Sequence, residues 1–508
     1  MDFSKQKRGL IILAMALGLL MSSLDNTIVS ASIAKILDDF GGFSQLSWVF
    51  TAYMLATTST MLVLGKMSDL FGRKRFYLIG IGLFILGSAL CGVAQSMDQL
   101  IWFRAIQGIG AGAIFPISFT IIFTIFKDPK DGAKLSGIMA GIFGLSSVAG
   151  PQLGTFITEH WGWRWCFYVN LPIGIASFLV LLFALKETRS ERKPKVDYVG
   201  TILLVMTCLS VMLAMEWGGK DYAWSSWQIL GLFAVGLIGL ISFIQVEKRA
   251  EEPVLPLEIF RNRVVLGTSI LSFCQGVMMF GAITYLPIFS VAVLNHTNTN
   301  SVLTPMMASM ICGTIVSGML MMKFKYRTLM TISMLFGVAT SILLIMASRQ
   351  IGDLEMILIM ILLGFGAIGP MMSIGQNAMA SSVDPRYMGV SSSIVGFWRN
   401  IGGVMGASVM AVIVNHQLKG FIEQGAAQNH IPTGQIDKLA NPELLMHATD
   451  KIPAAIVGFL RDSMGSAINQ GFILSLSVAV IGVVVALSIG NSKFQAPNRQ
   501  GEAGVRAE

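Results

Sequence analysis

At 508 residues, 54% hydrophobic and only 13% charged, with a mean hydropathy of +0.69, the chain holds more apolar surface than a soluble domain can bury and reads as a polytopic membrane protein. The net charge of +8 would suit nucleic acid, but the cations alternate from loop to loop as membrane topology requires, so no nucleic-acid partner is expected. The five cysteines, at 91, 166, 208, 274 and 312, fall in or beside apolar runs without metal-like spacing, and no disulfide is expected.

A membrane-crossing helix needs about 20 apolar residues. Residues 1–8 are short and basic and lead into a run too long for a signal peptide, with no small-residue cleavage site after it; this run, 10–33, is expected to be retained as helix 1. It carries Asp25, and a charge inside a span costs about 2.5–3.5 kcal/mol on insertion scales, so Asp25 needs a reason.

Helices 2 and 3, at 46–64 and 76–94, flank Gly65-Lys66-Met67-Ser68-Asp69-Leu70-Phe71-Gly72-Arg73-Lys74-Arg75. Its four cations cannot be drawn into lipid and pin the loop to the cytoplasmic side. Asp69 ends helix 2 within reach of a neighbouring cation, and Gly65 and Gly72 leave room for close helix approach.

Helix 4, 100–125, carries the second intramembrane charge, Arg104. At about 1.5 Å per residue, Asp25 and Arg104 fall at similar depths and are able to pair. Two readings stand open. The pair is a static link that fixes helix packing, or Asp25 faces a cavity and its proton affinity changes as desolvation and the nearby guanidinium pull in opposite directions. Helix 5, 135–157, has Gly137, Gly141, Gly144, Ser147, Gly150 and Gly154 at steps of three or four, a stripe that admits another backbone, and Pro151 favours a bend.

Helix 6, 166–185, is followed by a charged segment, 186–197, that leads into helices 7 and 8 at 199–215 and 227–246; a second one, 247–263, leads out. Helix 9, 264–294, carries Gln275 and Tyr285, and helices 10 and 11 follow at 302–322 and 329–347. Helix 12, 356–380, adds Gln376 and Asn377; these four polar side chains are candidates to line a site. Helix 13, 388–414, holds Arg399 on one face with Gly402, Gly403 and Gly406, where it snorkels, pairs, or binds an anionic group of a substrate. A long outer loop of mixed charge, 415–466, precedes helix 14 at 468–489. The 32 methionines, with pairs such as 278–279, 306–307 and 371–372, suit adaptable apolar cavity walls.

Fourteen helices place both ends on one side, and with that side cytoplasmic the inner segments hold 26 Lys or Arg against 8 outside. The chain also repeats itself. A shift of 252 lays Lys134, Gly137, Gly144, Gly150 and Gly154 on Arg386, Gly389, Gly396, Gly402 and Gly406. A shift of 254 lays Gly110, Gly112 and Pro116 on Gly364, Gly366 and Pro370. Two six-helix bundles are therefore expected, residues 1–190 and 251–508, with helices 7 and 8 inserted at 191–250.

Several stretches carry a resemblance. The loop at 65–75 resembles the signature loop between helices 2 and 3 of the major facilitator superfamily, and Gly150-Pro151-Gln152-Leu153-Gly154-Thr155 resembles that superfamily's antiporter motif, with Ser146 and Thr155 where glycines are common. Leu24-Asp25-Asn26-Thr27-Ile28-Val29, the Arg104 to Gly112 stretch, and Trp163-Arg164-Trp165-Cys166-Phe167-Tyr168-Val169-Asn170 are similar to the helix 1, helix 4 and helix 6 motifs of its fourteen-helix drug:proton antiporters. The resemblance implies two bundles about a midplane cavity and export of lipophilic, often cationic, drugs in exchange for protons across a bacterial plasma membrane, a route to antibiotic resistance. It further implies proton coupling by Asp25 and Arg104, gating by Gly65, Asp69, Gly72 and Arg73, and a substrate cavity to which Asn26 belongs. In the second half Met322 falls where Asp69 would, so the gate is expected to be asymmetric.

No Walker loop occurs, since Thr60 stands where its first glycine belongs and Met67 follows Lys66, and the five histidines have no zinc-type spacing. No cofactor or metal is expected, nor an enzyme; the partners implied are small-molecule drugs, protons and the bilayer, with the protein a monomer. A same-fold exporter of a metabolite, lipid or osmolyte is the alternative, and a membrane receptor or enzyme a remote one.

Overall fold

The computed structural model describes residues 5–41, 45–125, 129–187, 195–219, 221–294, 300–348, 350–426 and 454–490. Lipid offers no partner to a backbone N–H or C=O, so long apolar runs satisfy themselves as helices. The first six are α1 (Lys5–Phe40), α2 (Leu46–Phe71), α3 (Arg73–Gly92), α4 (Met97–Ile125), α5 (Pro129–Trp161) and α6 (Trp165–Ala184). Then come α7 (Tyr198–Trp217) and α8 (Trp227–Glu247). The last six are α9 (Arg263–Val293), α10 (Asn300–Leu320), α11 (Tyr326–Met346), α12 (Asp353–Ser381), α13 (Met388–Ala426) and α14 (Ala454–Ser488). Among the described residues thirteen of these are long and apolar enough to cross a membrane. The other, α5, spans 33 residues and opens on the polar Pro129-Lys130-Asp131.

Packing reproduces the repeat. In the first bundle α4 lies against α2 and α3, while α1 lies against α5 and α6; in the second, α12 lies against α10 and α11, and α9 against α13 and α14. The bundles meet where α2 packs on α13 and α5 on α10, two contacts related by the same half-to-half correspondence. Small residues set how near helices come: a Cβ on Gly108 would stand 2.5 Å from the Tyr53 carbonyl oxygen of α2. Each bundle has its own apolar core, one around Met15, Tyr77, Phe84 and Phe119, the other around Leu286, Phe289, Met306 and Phe472.

The inserted pair packs on itself, and α7 also touches α2 and α13 at the seam between the bundles. α8 is peripheral, with 17% of its span buried, and turns Leu237, Ile238 and Ile241 outward, the composition a lipid-facing helix needs.

Several helices run past the apolar spans read from the sequence, α2 among them, which continues through the expected loop to Phe71. α13 continues through residues 415–426 and α14 begins at Ala454, so only 427–453 of the expected 415–466 loop is left unassigned, and it lies outside the described residues. The apolar runs mark where lipid contact stops, not where the helical hydrogen bonds stop. Gly72 does more than leave room, though a Cβ there would meet the Glu187 carboxylate. It turns the chain between α2 and α3 at φ 111°, a conformation that favours glycine.

Candidate functional site

The two intramembrane charges of the first bundle meet. Asp25 and Arg104 expose no surface, and the guanidinium donates through Nη1 to Asp25 Oδ2. The same Nη1 donates to Gln107 Oε1 at 2.7 Å, Nη2 donates to Asn26 Oδ1 at 2.6 Å, and Nε donates to the Val49 carbonyl at 3.0 Å. Asp25 Oδ1 accepts from Gln107 Nε2 at 2.8 Å and from Asn170 Nδ2 at 2.9 Å. Ser88 Oγ accepts from both of these amides and itself donates to the Phe167 carbonyl. The Tyr53 ring faces the guanidinium, 4.3 Å from ring centroid to Cζ. Helices α1, α2, α3, α4 and α6 thus converge on one buried charge pair whose hydrogen-bonding groups are nearly all matched, the condition under which such a pair is tolerated away from water.

At the 65–75 end the bundles are sealed. Gly65 and Gly389 let α2 and α13 touch backbone to backbone: a Cβ on Gly389 would lie 2.5 Å from the Gly65 carbonyl oxygen. That approach brings the Asp69 carboxylate to the first turn of α13, where the Gly389 and Val390 amides donate to it at 2.8 and 3.1 Å. A helix N-terminus presents unpaired N–H groups and a partial positive charge, so a carboxylate from the other bundle is held there as a cap. Arg73 donates to Asp69 at 3.3 Å, to the Pro385 carbonyl at 3.4 Å, and to Thr124 Oγ1. Lys66, also buried, pairs with Glu252 at 3.3 Å, so the segment leading out of α8 is tied to the same seam.

Beyond the seal a cavity of about 510 Å³ lies between the bundles, within the usual range for small-molecule sites. α1 lines it with Ser22, Asn26 and Ser30, a polar stripe at steps of four, and α2 with Tyr53, Met54, Thr57 and Met61. From the second bundle come Met279, Phe280, Met307, Met310, Arg399 and Asn400. The floor joins the bundles: Arg399 lies 4.8 Å over the Phe115 ring, and Asn400 Nδ2 donates to Thr58 Oγ1 at 3.2 Å.

The expectations are met unevenly. Asn26, Pro151 and Arg399 line the cavity. Gly150 and Gly154 seat α5 on α1 just past the charge pair, with a Cβ on Gly150 falling 2.5 Å from Thr27 Cβ. Of the two readings left open for Asp25, the one in which its side chain faces the cavity does not match this conformation; Arg104, Gln107 and Asn170 close over it, and its neighbour Asn26 occupies the wall. Gln275, Tyr285, Gln376 and Asn377 are also absent from the wall. Gln275 donates at 2.8 Å to the Ile368 carbonyl in the π-helical turn Leu363–Ile368, Asn377 donates to the Ser373 carbonyl of its own helix, Gln376 turns to α13, and Tyr285 joins the second core. Of the methionine pairs, Met279 and Met307 reach the cavity while Met371 and Met372 are core. The α1 serines were legible as a period-four polar stripe, and Asn400 as the neighbour of Arg399; the aromatic and methionine faces were indistinguishable from core.

At the end opposite the seal, Asp39 accepts from Trp163 Nε1 at 2.8 Å and from Arg164 at 3.0 Å. These two donors, Trp163 foremost, hold its carboxyl below the ordinary value of 3.8. Arg164 also donates to the Ala94 carbonyl at 3.2 Å, so the ends of α1 and α3 are pinned to the start of α6.

Comparison with known proteins agrees with this architecture. The chain is 38% identical over 500 residues, 96% of each chain, to multidrug resistance protein 3 of Bacillus subtilis. It is 34% identical over 515 residues, 95% of this chain and 93% of the relative, to the multidrug transporter protein MdtP of the same organism. Among solved structures it superposes on the human organic anion transporter MFSD10 with a TM-score of 0.61 at 13% identity, covering 94% of this chain and 100% of that one. It also superposes on a bacterial homologue of the lysosomal transporter Spinster with a TM-score of 0.58 at 16% identity, covering 96% and 98%. Residues 15–407 match the family model described as Major Facilitator Superfamily, and the chain belongs to that family of multi-pass membrane transporters.

Proposed function

We propose that the protein is a proton-coupled antiporter that exports lipophilic drugs across the plasma membrane by alternating access, with both chain ends in the cytoplasm. The two relatives at 34–38% identity bear multidrug names, and the 26 to 8 split of cations supports the orientation. The units that move are residues 1–190 and 251–508, with 191–250 riding at their seam.

The observation that carries this reading is Arg104 holding both Asp25 and Asn26. Asn26 meets whatever occupies the cavity, and Asp25 is the acid able to carry a proton, so one guanidinium links occupancy of the cavity to the environment of the carboxylate. Asp25 with Arg104 is the coupling pair, and Gly65, Asp69, Gly72 and Arg73 form the cytoplasmic gate, closed in this conformation. Apolar, methionine-rich walls support lipophilic cargo. The cationic cargo that the family resemblance implies finds no acidic side chain among the described residues of the wall.

The test is reconstitution into vesicles containing a pH dye. An imposed acid gradient is expected to drive cargo flux, and cargo is expected to collapse the gradient with wild-type protein but not with Asp25→Asn. Cargo flux indifferent to any acid gradient would overturn the reading.

A further inference from the structure

The charge pair and the cavity are neighbours that do not touch. Asn26 and Tyr53 line the cavity, whereas Asp25, Arg104 and Gln107 do not. What stands between them on the α2 side is the ring of Tyr53. It covers the guanidinium, 4.3 Å from ring centroid to Cζ, and its hydroxyl donates to the Ser22 carbonyl of α1 at 3.2 Å. Ser22 Oγ lies 3.5 Å from the same hydroxyl. Only 3% of Tyr53 is exposed, so the ring is wedged in place.

Its footing is fixed as well. Gly108 admits the Tyr53 carbonyl, and one turn further along α2 Thr57 donates to the Gly108 carbonyl at 3.0 Å. α2 and α4 therefore hold ring and guanidinium in register, and an aromatic face over a guanidinium away from water is attractive. The other titratable groups near Asp25 are Arg104 of α4 and the buried thiols Cys91 of α3 and Cys166 of α6. α5 also packs on α1, but its Glu159 and His160 lie at the exposed outer end.

We propose that Tyr53 is a partition: a positioning residue that keeps the water of an empty cavity away from Asp25 until cargo shifts its ring. The proposal rests on the reading of Asp25 as the proton carrier. A lipophilic occupant packs on Tyr53 beside Phe50 and Met54 and competes with Arg104 for the ring. An acid that exchanged protons with an empty cavity would run the gradient down without moving cargo. A wedged ring prevents that loss, so proton exchange follows occupancy.

The test needs no cargo. Full-length protein is reconstituted into vesicles holding a pH dye, with potassium and valinomycin clamping the potential at zero, and the decay of an imposed acid gradient is followed. Tyr53→Ala is expected to dissipate the gradient at least about tenfold faster than wild type, the size of a lost cation–π contact away from water. Tyr53→Phe keeps the ring and loses one hydrogen bond, and should stay within about threefold of wild type. Tyr53→Ala/Asp25→Asn is expected to hold the gradient as wild type does, because the leak runs through Asp25; a hole made by mere loss of packing would persist. Should Tyr53→Ala not fold, Tyr53→Leu fills most of the space without lying flat on the guanidinium and is expected to leak likewise. A folded Tyr53→Ala or Tyr53→Leu as tight as wild type overturns the proposal. A leak that Asp25→Asn leaves untouched, or one equally fast in Tyr53→Phe, does so too. Acid-driven cargo flux by the wild type together with a tight Tyr53→Ala sinks the partition and leaves proton coupling standing, whereas a leak abolished by Asp25→Asn, with wild-type cargo flux indifferent to acid, does the reverse.

Discussion

Asp25 and Asn26 are consecutive in the chain and share one guanidinium, yet Asn26 lines the cavity while Asp25 is shut behind the wall. Asp25→Asn keeps the side-chain volume and an acceptor for Arg104, so the variant is expected to insert and fold. It should lose acid-driven flux by at least about tenfold, about 1.4 kcal/mol on the scale of a barrier or an equilibrium, while cargo binding persists. Unchanged acid-driven flux of every cargo would remove Asp25 from the mechanism.

Arg104→Gln is the harsher change, because it leaves a buried carboxylate without its charge partner. Breaking such a pair from one side costs about 3–5 kcal/mol. The double variant Asp25→Asn/Arg104→Gln is expected to recover most of that loss, since no uncompensated charge remains. Thermal unfolding of the four proteins in one detergent measures the coupling, and additive losses would show that Asp25 and Arg104 do not depend on each other.

Asp69 caps α13 from the opposite bundle, so its charge stabilises the sealed conformation specifically. An anion at a helix N-terminus contributes about 0.3–1 kcal/mol when exposed and up to about 2 kcal/mol when partly buried. Asp69→Asn should therefore open the 65–75 end by up to about thirtyfold relative to wild type. Gly389→Ala should act in the same direction by a steric route, its Cβ meeting the Gly65 carbonyl. Spin-label distances across the seam read both effects; an unchanged distribution in Asp69→Asn would mean that the cap does not set the conformational balance.

Much of this arrangement was legible in the chain itself. Spans follow from apolar length, and the two-bundle plan from glycine spacings shared by α4 with α12 and by α5 with α13, because close backbone approach fixes where glycine must stand. The pairing of Asp25 with Arg104 followed from cost and depth. Rotation about the helix axis was not legible. Asp25 and Asn26 differ by about 100° around α1, and only the placement of α4 and α6 decides which of them meets the cavity. Gln275, Gln376 and Asn377 show the same gap: a polar side chain in a span satisfies a cavity or a neighbouring carbonyl equally well, and here carbonyls of α12 and α13 took them. Asp69 as a cap for α13 depends on which helix lies opposite, which no local pattern records.

Asp39 gives a pH dependence with a definite sign. Its folded pKa lies below the unfolded value, so its contribution to stability is present above the unfolded pKa and is lost as pH falls through the lowered one. Asp39 and Arg164 are 47% and 39% exposed, which limits the contribution to about 1 kcal/mol or less. The difference in melting temperature between wild type and Asp39→Asn should be small at pH 6 and shrink further on acidification. A difference that grows as pH falls would contradict this sign.

If Asp25 is the one proton carrier, as proposed, it sets the charge moved per cycle. With one proton entering for each cargo leaving, a monocation exchanges without net charge, a neutral molecule moves one positive charge inward, and a monoanion moves two. Each charge crossing 100 mV is worth about 2.3 kcal/mol. At fixed proton gradient, a potential of 100 mV, inside negative, is therefore expected to raise the limiting accumulation ratio of a neutral cargo by roughly fiftyfold, to leave that of a monocation unchanged, and to raise that of a monoanion by roughly the square of that factor. Vesicles clamped with potassium and valinomycin measure these ratios directly. Two or more protons per cargo would give even the monocation a potential dependence, and that outcome would require a second proton carrier besides Asp25.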